Sequence, residues 1–173
     1  MSAPMLDERL LTFVREAGQF VYVTPDGDGL VIGESQVQFI VRLGDGVYTV
    51  EWIERGASNG LEVITEERGA VERIIVITYG HEWRTAHGLG HLDTTGGEPK
   101  FPPGYEIIDE GGWRFTVRWS QDGRDCRASN LDRVSIVELT RTLPFTLDEV
   151  IAAFKDRSTH PVFAPPAKRF WRR

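Results

Sequence analysis

The chain predicts an α+β fold: an antiparallel β-sheet built of hairpins with about three α-helices, in a single domain. Three observations carry that expectation. Short β-branched and aromatic runs recur between glycine-rich turns, as in Gln36 to Leu43, Gly44-Asp45-Gly46 and Val47 to Arg55. Stretches with apolar residues three and four apart stand before, between and after those runs. A length of 173 residues suits one core, and 40% hydrophobic with 27% charged residues is a globular balance.

The first element reads as a helix from Asp7 to Ala17, with Leu10, Leu11, Val14 and Ala17 on one face and Gly18 as its stop. Gln19 to Thr24 alternates as a strand, Pro25 to Gly29 turns, and Leu30 to Ile32 pairs back. After the Gly44-Asp45-Gly46 hairpin, Ser58-Asn59-Gly60 turns into a short strand over Leu61 to Ile64. Thr65 to Arg84 contains the strand-like Ile74-Ile75-Val76-Ile77. Its length and the spacing of Val71, Ile74, Ile75, Thr78 and Tyr79 nevertheless predict a helix, with Thr65 as a cap before Glu66 and Glu67. Tyr105 to Asp109 and Trp113 to Ser120 flank Glu110-Gly111-Gly112, and Gln121-Asp122-Gly123 turns again. Arg133 to Thr142 alternates Val134 and Ile136 with polar neighbours and reads as a further strand. Thr146 and Glu149 form a capping box that opens a last helix with Val150, Ile151, Ala153 and Phe154 inward. Residues 1–158 make the domain, and 159–173 make a proline-rich, basic arm.

Charge is unevenly placed. Residues 168–173 hold four of the twenty basic residues, which leaves 16 basic against 26 acidic in the body and moves its charge from −6 to −10. Such a field repels nucleic acid and anionic lipid and favours a basic partner. No apolar run approaches the ~20 residues of a membrane span, Met1 to Arg9 does not read as a secretory signal, and one cysteine, Cys126, excludes an internal disulfide. The expected location is the cytoplasm.

Catalytic and cofactor patterns are weak, and no cofactor is expected. His81, His87 and His91 invite a zinc reading with Asp93, which would make a small metal-dependent hydrolase. The zinc-protease helix, however, puts its two histidines four residues apart on one face, and here the first two are six apart. Asp26, Asp28 and Asp45 lie in glycine turns that lack the acid spacing of a calcium loop. Cys126 lies between Asp125 and Arg127 with no histidine near in sequence. Trp52, Trp83, Trp113 and Trp119 read as core or sheet-face residues; a ligand-binding domain built on that Trp-rich sheet is the remaining alternative.

The segment that fits neither helix nor strand is His87 to Tyr105, long for a loop in a compact domain and therefore a functional candidate. Around it stand Gly60-Leu61-Glu62-Val63-Ile64-Thr65, Ala70-Val71-Glu72-Arg73, Tyr79-Gly80, His81-Glu82-Trp83-Arg84 and Gly88-Leu89. This series resembles the bacterial immunity family that includes the immunity factor for tuberculosis necrotizing toxin (TNT). Gly104-Tyr105, Trp113-Arg114-Phe115 and the Leu147 to Phe154 helix fit in order, so the resemblance spans about residues 19–155. It implies an antitoxin without chemistry of its own, which forms a one-to-one complex with an NAD-hydrolysing toxin and blocks the toxin's NAD site. Within the loop, His91, Asp93, Thr94, Thr95, Gly96, Gly97, Glu98 and Lys100 are the expected partner-binding residues. Thr94-Thr95-Gly96-Gly97 admits backbone to a narrow cleft, Asp93 and Glu98 suit cationic groups there, and Pro99, Pro102 and Pro103 stiffen the segment.

Overall fold

Helix α1 (Glu8–Glu16) leads into a meander of five strands: β1 (Phe20–Val23), β2 (Gly29–Gly33), β3 (Val37–Gly44), β4 (Val47–Glu54) and β5 (Ala57–Thr65). Helix α2 (Arg68–Ala86) follows, then β6 (Glu106–Gly111), β7 (Arg114–Gln121), β8 (Arg124–Leu131), α3 (Arg133–Thr142) and α4 (Leu147–Lys155). The computed structural model describes residues 3–95, 101, 103–157 and 162–163. Among them the eight strands form one open sheet in the order β1-β2-β3-β4-β5-β8-β7-β6, antiparallel throughout, with β1 and β6 as its edges. The expected α+β class holds, with four helices among the described residues where about three were expected.

Turn chemistry sets the meander. Asp45 (φ 52°) and Gly46 (φ 80°) both take left-handed backbone, as a two-residue hairpin loop requires. The β4–β5 turn falls at Arg55 and Gly56, also at positive φ, not at Ser58-Asn59-Gly60. Those three residues lie inside β5, where Ser58 pairs with Ile53 and Gly60 with Trp52, and a register shift leaves Asn59 between them as a bulge.

Alternation sorts the side chains between two faces. Leu30, Ile32, Phe39, Val41, Tyr48, Val50, Val63, Val117 and Ala128 are buried on the face that meets the helices. Helix α2 lies at the centre of that layer, packed on β4 and β5 and touched by α1, α3 and α4. It is accordingly buried on almost every side, including Val71, Ile75, Tyr79, Gly80 and Trp83. Phe13 bridges the α2 residue Trp83 and the α4 residue Phe154, at ring-centroid distances of 6.0 and 6.4 Å. Val162 and Phe163, in the segment assigned to the arm, are buried, and Phe163 meets Phe154 edge-on at 4.9 Å.

Two elements differ from the sequence reading. Arg133 to Thr142 is helix α3, because the Asp132 carboxylate accepts from the Ser135 backbone N–H at 2.7 Å and caps it. Ile136, Leu139 and Thr140 are then its inward residues, and the Val134/Ile136 alternation is incidental. The strand that was missed is β8, whose small inward residues Cys126 and Ala128 sit among charged and polar ones. Thr65 does not cap α2 either. It ends β5, donates to the Arg127 carbonyl at 2.6 Å and accepts from the Glu67 N–H, while α2 begins at Arg68.

The contact of α2 with α4 turns on one missing methyl group. A Cβ at Gly80 would lie 2.3 Å from the Phe154 ring, which is itself wholly buried. Gly80→Ala is therefore expected to destabilise the domain by about 1–3 kcal/mol, the usual cost of overpacking, measured as a lower urea midpoint with an unchanged m-value.

Candidate partner interface

The candidate loop leaves α2 on a fixed stem. The α2 residue Arg84 is buried, and its Nε donates to the Gly90 carbonyl at 2.7 Å, which ties the chain back just after the helix ends. Leu92 is buried in the core. Thr94 is buried as well: its hydroxyl donates to the Glu138 carboxylate, and its carbonyl accepts from Arg141 Nη1 at 3.0 Å. Both partners lie on α3. Asp93 is exposed and closes a small turn, its Oδ1 accepting from the Thr95 N–H at 3.0 Å and the Thr95 hydroxyl at 2.9 Å. Of the sequence-predicted site, His91, Asp93, Thr94 and Thr95 are thus placed on the stem. Gly96, Gly97, Glu98 and Lys100 lie outside the described residues.

The three histidines separate. His81 and His91 stack face to face at 4.4 Å, and the His81 ring also meets Phe154 edge-on. His87 stacks on Trp83 at 3.8 Å instead, and its Nδ1 lies 2.8 Å from the Trp83 carbonyl. Stacked rings direct their nitrogens outward in parallel planes rather than toward one ion. No three His, Cys, Asp or Glu residues gather as a metal site among the described residues, so the hydrolase cluster is not assembled. His81 is half-buried, which depresses its pKa, and the neighbouring His91 and Arg84 add to the effect.

Nor do the tryptophans make one exposed platform: Trp52, opposite Phe39, and Trp119, two residues from Val117, point to the helix-covered face. Trp83 and Trp119 are buried, whereas Trp113 stands 86% exposed at φ 66° in the β6–β7 turn, off the strand on which the sequence placed it. A cavity of about 720 Å³ lies beside β7 and β8, lined by Glu66, Glu67, Glu106, Arg118, Trp119 and Cys126 among others. Burial raises the Cys126 thiol above its ordinary value, with the adjacent Glu67 adding to the rise, so this cysteine is not activated as a nucleophile. No helix among the described residues is long and apolar enough to cross a membrane.

Sequence reasoning missed how Thr94 is held, because its partners Glu138 and Arg141 lie on an element read as a strand. Burial raises the Glu138 carboxyl above its ordinary 4.5, against the lowering effect of the Thr94 hydroxyl. A carboxyl raised on folding contributes stability that is fully present below pH 4.5 and is lost as pH climbs through the raised value. Glu138→Gln keeps an acceptor for Thr94 and removes the charge, so the variant should lose less stability than wild type as pH rises from 4 to 8 in parallel urea titrations. Thr94→Val removes a donor from a part-buried carboxylate and is expected to cost roughly 1–3 kcal/mol, read by the same titration at pH 7.

Comparison with known proteins agrees with this architecture. One solved structure, Rv3902c from M. tuberculosis, superposes with a TM-score of 0.77 at 20% sequence identity, over 92% of this chain and 94% of the other. That likeness shows a shared fold. A search of curated protein sequences gives no match. The family model described as immunity protein 61 matches residues 13–162, from α1 through the buried Val162. The chain belongs to the immunity protein 61 family.

Proposed function

We propose that this chain is an antitoxin that binds an NAD-hydrolysing toxin one-to-one in the cytoplasm of the producing cell and blocks its NAD-binding site, without chemistry of its own. The observation that carries the reading is family membership over residues 13–162, which supports an immunity role. The NAD-hydrolysing target comes from the resemblance of Gly60 to Thr65, Ala70 to Arg73, Tyr79 to Arg84 and Gly88-Leu89 to the TNT immunity family.

The stem supports the blocking mode. An inhibitor that fills a cleft loses less entropy when its inserting segment springs from fixed ends, and Arg84, Glu138 and Arg141 fix the chain between Gly90 and Thr94. In this reading Thr94 serves as the anchor. His91, Asp93, Thr95, Gly96, Gly97, Glu98 and Lys100 face the toxin, the glycines letting backbone approach closely and the acids meeting cationic groups of a pyrophosphate site.

The test is co-expression with the product of the adjacent gene, followed by titration of its NAD hydrolysis. One equivalent of this chain is expected to abolish turnover; unaffected hydrolysis and no complex on gel filtration would overturn the reading. Replacing residues 96–100 by an equally long Gly-Ser stretch, with Thr94 left in place, is expected to weaken inhibition at least about tenfold, the equivalent of 1.4 kcal/mol. Inhibition that survives this exchange in a folded variant would move the blocking element elsewhere.

A further inference from the structure

The two edges of the sheet are built differently. Edge strand β6 carries Glu106, Asp109 and Glu110 and a register shift between Asp109 and Gly111, the charges and bulge that keep an edge from pairing with other chains. Edge strand β1 reads Phe-Val-Tyr-Val, with no charge, no proline and no bulge. Phe20 is 67%, Tyr22 46% and Val23 52% exposed. The Thr24 N–H donates to the Gly29 carbonyl. By antiparallel alternation, Tyr22 and Phe20 then exchange hydrogen bonds with β2, and the N–H and C=O of Val21 and Val23 point outward from the sheet. No strand pairs with them among the described residues.

Beside the start of β1 lies a cleft of about 500 Å³ lined by Gln19, Glu34, His81, Glu82, Thr85 and Ala86. Among the described residues no Lys or Arg lines it. Gln19 Nε2 donates to the Glu82 carboxylate, while Gln19 Oε1 and His81 Nδ1 are buried with no hydrogen-bond partner among the described residues. Among the described residues the cleft therefore offers two carboxylates and the Gln19 amide oxygen and holds no cation. It is also continuous with the loop stem, because His81 on its wall stacks on His91.

We infer that β1 is a docking edge for an extended, basic segment of the toxin, which pairs with Val21 and Val23 as a ninth strand, covers Phe20 and Tyr22, and places a guanidinium or ammonium group between Glu34 and Glu82. The inference rests on the immunity reading and adds to it a second contact, next to the loop, together with the chemistry of the surface that fits. A second copy of this chain is the poorer occupant. Each chain would bring its own Glu34 and Glu82 and a net charge of −6 to the same edge. Strand addition supplies main-chain hydrogen bonds, and the carboxylate cleft supplies selectivity for the basic partner.

The test is isothermal titration of the adjacent-gene toxin into wild type, Val23→Pro and Glu34→Lys. Val23→Pro removes an outward N–H without touching the ladder to β2, and Glu34→Lys reverses an exposed charge. Each variant is expected to bind at least about tenfold more weakly than wild type, with the Glu34→Lys loss shrinking at high salt. Circular dichroism checks the fold, and Glu34→Lys decides alone if Val23→Pro misfolds. Binding by folded variants within twofold of wild type would overturn the inference while leaving the immunity reading in place. A failure of wild type to bind removes both. Sedimentation of the free chain should show a monomer; a dimer that Val23→Pro dissolves would assign the edge to self-association and overturn the proposal.

Discussion

Two buried or part-buried arginines on α2 hold the helical layer in register, and the rest of the structure hangs on them. Arg84 donates through Nη1 to the Phe154 carbonyl at 3.0 Å and the Asp156 carbonyl at 2.7 Å, and through Nε to Gly90. Arg73 donates to the carbonyls of Thr142, Phe145 and Gly69. Each guanidinium thus satisfies carbonyls left open where a helix ends, α4 for Arg84 and α3 for Arg73. The fork of donors spans several oxygens at once, which an ammonium cannot do. A cation this deeply placed is costly unless its donors are filled, so the carbonyls must stay where they are. That requirement fixes both α3 and α4 against α2.

The candidate interface inherits its geometry from the same arrangement. Arg84 binds Gly90 and α4 together, so the loop starts from the point where α2 and α4 meet. Arg73 sets the end of α3, and α3 in turn supplies Glu138 and Arg141 to Thr94. The stem is therefore held by α2 and α3 directly, and by α4 through Arg84, before it reaches Thr95. The neighbouring β1 edge is tied to the same helix by Gln19, the residue before it, whose side-chain amide donates to Glu82 of α2 and whose backbone N–H donates to the Val14 carbonyl of α1. Loop and edge strand thus share one surface because both are tied to the C-terminal half of one helix.

Much of this was legible where local chemistry decides the outcome. Asp45-Gly46 announced its hairpin because few residues tolerate two successive positive φ values. Thr146 and Glu149 announced α4 through a reciprocal capping box, which the structure contains. Helix α2 was legible in spite of five consecutive β-branched residues, Ile74 to Thr78, because its periodic apolar face is longer than any strand would be. Elements decided by tertiary context were not legible. Helix α3 mimicked a strand, since a short helix buried on one side can show alternation by chance, and only the Asp132 cap distinguishes it. Strand β8 looked polar because just Cys126 and Ala128 point inward along its middle. The stacking of His81 on His91 across ten positions, the burial of Thr94 and the bare edge of β1 follow from the assembled layers, and no local spacing encodes them.

The central claim is that one surface, the loop beyond the α2 stem together with the adjoining β1 edge, meets the toxin. Amide hydrogen exchange of this chain, free and in complex with the adjacent-gene toxin, tests it most directly. The account predicts slowed exchange in residues 91–100 and at Val21 and Val23, with β6 and the Trp113 turn unchanged. Protection confined to β6, β7 and the cavity beside Trp119, with the loop and β1 exchanging as in the free chain, would contradict it.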